Sequence, residues 1–241
     1  MPIVNPSAKY DDLALHSPPP TGYLHLAAVI EPTLGRTPFP RRSPRKTRLL
    51  AALKELAASL AQLETVAKVT VYRARLIPPA GRGTRHPARY DVAVLIETPS
   101  VALLEDVQAT SEYQQLLAAL RDAAQDIFVM PARCVRLVAD VDKSRPGLFL
   151  FNYFVADDRQ VALDVWEHLA GWYAAHTGMD NSTLLAPLSE ADYVFVNHVR
   201  WDRSLAGFTL AQFSTPSFRS YVLANLRANH TASMPILFGL A

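Results

Sequence analysis

The stretch Asp192-Tyr-Val-Phe-Val-Asn-His-Val-Arg-Trp-Asp202, followed at once by Arg203-Ser-Leu-Ala-Gly207, decides the fold. Its alternating residues predict a β-strand that runs into a helix. Earlier in the chain, Arg89-Tyr-Asp-Val-Ala-Val-Leu-Ile-Glu97 is a plainer version of the same pattern. The chain is therefore expected to contain one structural module twice.

Landmarks around the two stretches keep nearly the same offset. Tyr90 matches Tyr193, and Met130-Pro131 matches Met234-Pro235. Both halves give the order strand, helix, strand, strand, helix, strand, which indicates an internal repeat of a ferredoxin-like unit. The predicted fold class is α+β, with two tandem ferredoxin-like βαββαβ units whose antiparallel sheets pack as an α/β barrel.

A short polar linker, Asp142-Lys-Ser-Arg-Pro-Gly147, separates the halves. The expected bounds are therefore 22–142 for the first ferredoxin-like half and 147–241 for the second. Residues 1–21 are polar and end in Ser17-Pro-Pro-Pro20. Because prolines disfavour regular structure, this segment is expected to be an extended leader on the surface.

Composition excludes several classes of protein. The 241 residues carry a net charge of only +2, which is too small to indicate a nucleic-acid partner. The single cysteine, Cys134, excludes an internal disulfide and a cysteine-based zinc site, and no metal or phosphate motif is present. Neither a signal peptide nor an apolar run of about 20 residues is found, so we expect a cytoplasmic protein without a membrane partner.

The opening stretch also holds the first candidate site. On a strand, Asn197 and Trp201 share one face with Tyr193, while His198 and Arg200 share the other. The functional interpretation places Asn197 and Trp201 as catalytic residues in a cavity between the two sheets. There an amide can hold a substrate oxygen and an indole can stack on a ring. The alternative interpretation has Asn197 bonded to backbone, Trp201 in the core, and His198 and Arg200 facing helices or solvent.

Asn152 is the third candidate catalytic residue. It lies in the middle of the aromatic strand 148–155, where a buried amide is costly without partners. The alternative is a structural bridge. His25 is nearly its counterpart in the first half, and a lone strand histidine is often a hydrogen-bonded core residue instead. The candidate ligand-binding residues are Tyr193, His198, Arg200 and His25.

A resemblance to a known family follows from these residues. Phe195-Val-Asn-His-Val-Arg-Trp-Asp-Arg-Ser-Leu205 and then Phe213-Ser-Thr-Pro-Ser-Phe218 resemble the third strand and second helix of the antibiotic-biosynthesis monooxygenase family. In that family a strand ends in Trp, a helix follows, and a short break precedes an aromatic residue. The order of elements resembles the wider dimeric α/β-barrel superfamily, with both barrel halves in one chain. The chain departs from the family where a helix histidine is often found, since this region reads Thr209-Leu-Ala-Gln-Phe213.

The resemblance implies a monooxygenase-like enzyme, or a degenerate relative, that binds a small aromatic or otherwise apolar molecule. In cofactor-free members the substrate itself activates oxygen, so no cofactor is expected. One alternative is a non-catalytic structural or interaction protein of the same fold, whose faces mediate self-association into a homodimer. Another is a haem-binding member that uses His198 or His25, with Asn152 and Trp201 matching residues of the haem-degrading branch.

Overall fold

The computed structural model describes residues 1–7, 9–31, 33, 37–79 and 87–241. Within these residues, eight β-strands close into one barrel and six α-helices pack on its outer face. The strands are β1 (Gly22–Val29), β2 (Lys68–Leu76), β3 (Val92–Thr98), β4 (Asp126–Ala139), β5 (Leu148–Ala156), β6 (Ser182–Pro187), β7 (Phe195–Trp201) and β8 (Thr231–Leu240). The helices are α1 (Pro44–Leu60), α2 (Leu104–Ala109), α3 (Ser111–Ala123), α4 (Arg159–Thr177), α5 (Leu205–Phe213) and α6 (Ala224–Ala228).

The strand order confirms the predicted fold class. Around the barrel the strands run β1-β3-β2-β8-β5-β7-β6-β4, and neighbouring strands are antiparallel. The first half contributes β4-β1-β3-β2 and the second contributes β8-β5-β7-β6, which is the same ferredoxin-like order. The halves join through the β2–β8 and β4–β6 pairs, so hydrogen bonding at both seams closes the sheet on itself.

Local sequence signals set several helix boundaries. The side chains of Ser43, Asp158 and Ser204 cap α1, α4 and α5 by accepting a backbone N–H bond. Gly178 ends α4 at φ 68°, a conformation that glycine adopts without strain. The predicted break after α5 is present, but the chain then makes a π-helical turn at Phe218–Leu223 before α6. No helix in the described part of the chain is both long and apolar enough to cross a bilayer.

Alternate residues of each strand point into the barrel or towards the helices. The barrel interior is a core filled mainly by aromatic side chains. These are Tyr23, Tyr72, Tyr90, Phe128, Phe149, Phe151, Tyr153, Tyr193 and Phe238. The outer faces of the strands form separate cores with the helices, one in the first half and two in the second. The interior is therefore packed, and a ligand site has to be sought in the helix layer.

Candidate functional site

A small pocket lies in the second half between the outer face of the sheet and the helices. Strands β5, β7 and β8 form its floor, which consists of Leu150, Asn152, Phe154, Asn197, Val199, Trp201 and Ser233. Helix α4, the π-helical turn and α6 form its roof, which consists of Trp166, Leu169, Ala170, Tyr173, Val222 and Leu226, with Met179 beside them. The cavity volume is about 30 Å³, enough for a water molecule or two.

Two amides face each other on the floor of this pocket. Asn152 on β5 lies directly opposite Asn197 on β7, so both side chains are on the helix side of the sheet. Ser182 Oγ donates a hydrogen bond of 2.6 Å to Asn197 Oδ1. Because its oxygen is held by Ser182, the amide N–H groups are the part of Asn197 that remains for a ligand.

Two buried polar atoms on the pocket wall have no hydrogen-bond partner among the described residues. They are the carbonyl oxygen Oδ1 of Asn152 and the indole nitrogen Nε1 of Trp201. Both side chains are more than nine-tenths buried. An unsatisfied buried group costs roughly 1–3 kcal/mol. One acceptor and one donor left unsatisfied in the same pocket point to a ligand that supplies both partners.

The sequence analysis grouped these residues correctly but put them on the wrong side of the sheet. Asn197 and Trp201 were expected in a cavity between the two sheets, and the structure corrects this placement. Both face the helices, as does Asn152, and the barrel interior is filled by other side chains. Strand alternation shows which residues share a face, but it does not show which face lies inside the barrel. Their catalytic role stays a prediction.

Tyr193 was expected on the same wall as Asn197, and this is also wrong. Strand β7 begins only at Phe195, so the alternation does not extend back to Tyr193. Its ring lies in the barrel interior, where its hydroxyl is 3.0 Å from that of Tyr90. Burial raises the pKa of Tyr193 to about 12. Tyr193 therefore contributes to the core shared by the two halves.

His198 lies inside the barrel with both ring nitrogens engaged, so the alternative in which it faces helices or solvent is wrong. Nδ1 is 3.0 Å from the carbonyl oxygen of Leu150 and must carry the proton, because a carbonyl only accepts. Nε2 then accepts from the hydroxyl of Tyr72, 3.2 Å away. The ring stacks on Phe151 with centroids 4.1 Å apart. Burial, with the nearby charge of Lys143, lowers the pKa of His198 well below its usual value.

His25 occupies the barrel interior as well. Its Nε2 is 2.9 Å from the hydroxyl of Tyr153, and burial lowers the pKa of His25 to about 3. The strand register makes Leu24 the counterpart of Asn152, since each lies opposite the proline of a Met-Pro pair. His25 is one residue away, and one residue along a strand reverses the face.

Arg200 lies at one end of the barrel, 4% exposed. Its Nη2 donates to the carbonyl oxygen of Pro146 at 2.8 Å and forms an ion pair with Asp202 at 2.5 Å. Its guanidinium carbon is 5.9 Å from the ring centroid of Phe149. These contacts tie the linker between the halves to β7, and they do not bring Arg200 into the pocket of Asn152 and Asn197.

The two histidines considered as haem ligands do not fit that role in this arrangement. Axial ligation requires a free imidazole nitrogen that faces a space for the macrocycle. Both nitrogens of His198 are bonded, and His25 lies in an interior filled by aromatic rings. No histidine or cysteine is found among the described residues that line the pocket. Within the same residues, no group of three or more His, Cys, Asp or Glu could hold a metal ion.

Sequence reasoning did not find Ser182 or the helices of the roof. Ser182 reaches Asn197 through the pairing of β6 with β7, and a single sequence does not show which strands pair. The spacing of the apolar residues on α4 predicts core packing for Trp166, Leu169, Trp172 and Tyr173. Three of these four residues also line the pocket, but their 3–4 spacing does not distinguish a pocket roof from a core.

Comparison with known proteins agrees with this architecture at the level of the fold. No protein-family model and no curated protein matches the chain. An anthrone oxidase-like protein superimposes with a TM-score of 0.64 at 13% identity, covering 92% of this chain and 91% of that one. A protein from Fusobacterium nucleatum assigned as a monooxygenase gives a TM-score of 0.58 at 7% identity, covering 93% and 94%. A protein assigned as a chlorite dismutase gives 0.53 at 13% identity, covering 92% and 95%.

These likenesses define the class of fold. The chain has the same fold as these three proteins, which here is an eight-stranded α/β barrel with both ferredoxin-like halves in one polypeptide. Identities this low show the fold and do not carry over an activity.

Proposed function

We propose that the pocket in the second half binds a planar aromatic ketone or phenol, and that the protein is a monooxygenase-like enzyme acting on this ligand. The observation that carries the proposal is the pair of unsatisfied buried atoms on one pocket wall, Asn152 Oδ1 and Trp201 Nε1. The fold neighbours assigned as a monooxygenase and as anthrone oxidase-like support this class of reaction.

The polar groups suit a substrate with a carbonyl or phenol oxygen. The amide N–H groups of Asn197 or the indole N–H of Trp201 can donate to that oxygen, and such a donor stabilises negative charge that develops on it. The oxygen of Asn152 can accept from a hydroxyl on the same molecule. The remaining walls are apolar and aromatic, as is usual for sites that hold flat rings.

The lining residues restrict the chemistry to substrates that ionise easily. Tyr173 is the only titratable side chain among the described lining residues, and burial raises its pKa above the usual range. A tyrosine in this state stays protonated and cannot act as a general base near neutral pH. Anthrone meets the requirement, because loss of a proton from its central CH₂ group gives a delocalised, phenolate-like anion.

The proposed reaction needs no external reductant. One O₂ converts the central CH₂ of anthrone into the second carbonyl of anthraquinone. One oxygen atom enters the product, and the other leaves as water with the two hydrogens of that CH₂ group. The four electrons that reduce O₂ all come from the substrate, so no cofactor is required, and the absence of a cofactor remains a prediction.

Oxygen uptake with anthrone tests the proposal. The wild-type protein is expected to accelerate uptake with a stoichiometry of one O₂ per anthrone, with anthraquinone as product. Loss of one preorganised donor typically costs about 10²–10³ in rate, so Asn197→Ala and Trp201→Phe should each lose most of the activity. Trp172→Phe is the matched control, because Trp172 is buried on α4 and does not line the pocket. Equal rates for all four proteins would contradict the proposal.

A non-catalytic relative is the second candidate, and the lack of a base among the described lining residues favours it. In that case anthrone or anthraquinone binds and quenches tryptophan fluorescence, but oxygen uptake stays at the rate of the buffer. The same two variants, Asn197→Ala and Trp201→Phe, then weaken binding. A cytoplasmic location and a homodimer also remain predictions.

A further inference from the structure

The N-terminal segment lies across the outside of the pocket roof. Residues 2–7 and 9–16, here called the strap, contact α4, the π-helical turn and α6. Asn225 on α6 accepts from the backbone N–H of Val4 at 2.8 Å and donates to its carbonyl oxygen at 2.9 Å. Asn229 donates to the carbonyl oxygen of Pro2 at 2.9 Å. These two buried amides recognise the backbone of the strap much as a neighbouring strand would.

The middle of the strap contacts the roof through side chains. The ring of Tyr10 packs on Tyr221, with centroids 4.9 Å apart, and on His176 at 5.6 Å. Leu13 packs against the apolar cores of the second half, one of which contains the pocket residues Ala170 and Trp201. The strap ends in a single β-bridge at His16.

The residues that hold the strap alternate with those that line the pocket. On α4, Gly171 lies beneath the strap beside the lining residue Ala170. In the π-helical turn and α6, Tyr221 and Asn225 contact the strap, while the adjacent Val222 and Leu226 line the cavity. The strap and the pocket therefore contact different faces of the same layer of helices.

The closed pocket is too small for the proposed ligand. Its volume is about 30 Å³, whereas small-molecule sites typically measure roughly 300–1,000 Å³. A three-ring molecule can enter only if the roof moves away from the sheet. The π-helical turn is a suitable place for this movement, because its widened helix has poorer packing than an α-helix and such turns are frequent at functional sites.

We propose that the strap is a latch that holds the roof of the pocket closed, and that ligand access requires its release. The proposal rests on the proposed function, because it concerns entry to the same pocket. The strap is bonded to the roof itself. Outward movement of α6 or the π-helical turn therefore breaks the hydrogen bonds of Asn225 and Asn229 to the strap backbone. Release of the strap removes this restraint and increases the population of open pockets.

Gly171 allows the latch to be loosened without weakening the helix. A Cβ atom at this position would overlap the carbonyl oxygen of Asp11, so Gly171→Ala displaces the strap. The same substitution favours the helix itself, by about 0.5–1 kcal/mol. Gly207→Ala on α5 is the matched control, since a Cβ there meets only Ser204 Oγ at 3.2 Å and Gly207 is exposed.

A thiol on the pocket floor reports opening without any ligand. Val199 is fully buried and lines the pocket, so the thiol introduced by Val199→Cys reacts with iodoacetamide only when the roof opens. The natural Cys134 lies in the barrel interior, where burial raises its pKa to about 11, and it serves as a reference for opening of the barrel. Adding Gly171→Ala should accelerate alkylation of the introduced thiol at least about tenfold and leave the rate at Cys134 unchanged.

A second pair of variants changes side chains of the strap instead of a residue of the roof. Leu13→Asp places a charge against the apolar cores of the roof and should accelerate alkylation in the same way. Leu15→Asp on the same strap is the control, because Leu15 is already 38% exposed. Hydrogen exchange at the amides of Val4 and His16, which donate to Asn225 Oδ1 and to the carbonyl oxygen of Leu137, measures release of the strap directly.

The latch is overturned if exchange in the strap accelerates while the introduced thiol reacts at its original rate. It is also overturned if neither Gly171→Ala nor Leu13→Asp changes strap exchange, because the strap would then not depend on these contacts. Neither measurement involves anthrone. If Gly171→Ala accelerates alkylation but the protein does not oxidise anthrone, the latch is supported and the proposed function is refuted. If the protein oxidises anthrone but alkylation is not accelerated, the latch alone is refuted.

Discussion

The two helix–sheet layers of the barrel have the same topology but different chemistry. In the first half, Leu24 on β1 lies opposite Ile96 on β3, and both are fully buried against α1 and α3. In the second half, the corresponding pair on β5 and β7 is Asn152 and Asn197. Among the described residues, the first layer is an apolar core apart from polar atoms such as the buried, unpartnered hydroxyl of Tyr113, whereas the second contains two amides, an unsatisfied indole N–H and a cavity.

This difference is the reason for proposing the functional site in the second half. Burying unsatisfied polar groups lowers stability, and the first half shows that the fold does not need them at these positions. Such departures from an apolar core are expected at functional sites. The second half therefore gives up stability for a polar pocket, while the first half stabilises the fold.

The largest effect of a single substitution is expected when the first half is made to resemble the second. Leu24→Asn removes an apolar side chain worth about 1.5–3 kcal/mol of burial and introduces an unsatisfied amide that costs a further 1–3 kcal/mol. We expect a loss of about 4 kcal/mol in the free energy of unfolding, measured by urea denaturation. Should that variant fail to fold, Ile96→Thr makes the same comparison with a smaller loss in the free energy of unfolding. A loss below about 1 kcal/mol would mean that both layers tolerate amides equally.

The next prediction concerns how stability depends on pH. It tests the barrel interior, which both halves share, and does not involve the pocket. Burial lowers the pKa of His25 to about 3 and that of His198 well below its usual value. An unfolded histidine has a pKa of about 6.5, so below that pH the unfolded chain binds protons that the folded chain does not. The free energy of unfolding should therefore fall as the pH drops from about 6.5 towards 4, by about 1.4 kcal/mol per pH unit for each histidine.

Urea denaturation between pH 7.5 and pH 4.5 measures this slope. His25→Phe should reduce it by the contribution of one proton. An identical slope in His25→Phe would show that His25 is not buried in its neutral form.

A smaller effect of opposite sign is expected when the second half is made to resemble the first. Asn152→Leu removes the unsatisfied Oδ1 and fills the space with apolar atoms. We expect the free energy of unfolding to rise by about 1–2 kcal/mol. Affinity for anthrone, measured without oxygen, should fall at least about tenfold. Destabilisation by Asn152→Leu would instead support the alternative in which Asn152 is a structural bridge.

The sequence was sufficient for the fold class and for three residues that line the pocket, but not for their orientation, and Tyr193, His198, Arg200 and His25 lie elsewhere. The matched offsets of Tyr90 with Tyr193 and of the two Met-Pro pairs predicted two similar units, and the strand order confirms the fold class. Asn152, Asn197 and Trp201 were selected as polar or amphipathic residues on apolar strands, and they line one pocket. Their position under the helices depends on how the barrel closes, which alternation along a single strand does not determine.

Other features depended on contacts between distant segments. Residues 1–21 were expected to lie extended on the surface, but their contacts with Asn225 and Asn229 join positions more than 200 residues apart. The pairing of His198 with Tyr72 likewise crosses the barrel from one half to the other. Local sequence patterns predict secondary-structure elements and which residues share a face of a strand. Contacts between distant segments are seen only in the three-dimensional structure.

The most direct test of the central claim follows the indole N–H resonances of the three tryptophans by ¹H–¹⁵N NMR during an anaerobic titration with anthrone. Trp172 Nε1 already donates to Ser217 Oγ at 2.8 Å, whereas Trp201 Nε1 has no partner among the described residues. We predict that the Trp201 signal, assigned with Trp201→Phe, moves downfield as it acquires a hydrogen bond, while the Trp172 signal keeps its position. A Trp201 signal that stays in place at saturating anthrone would contradict the assignment of this pocket as the functional site.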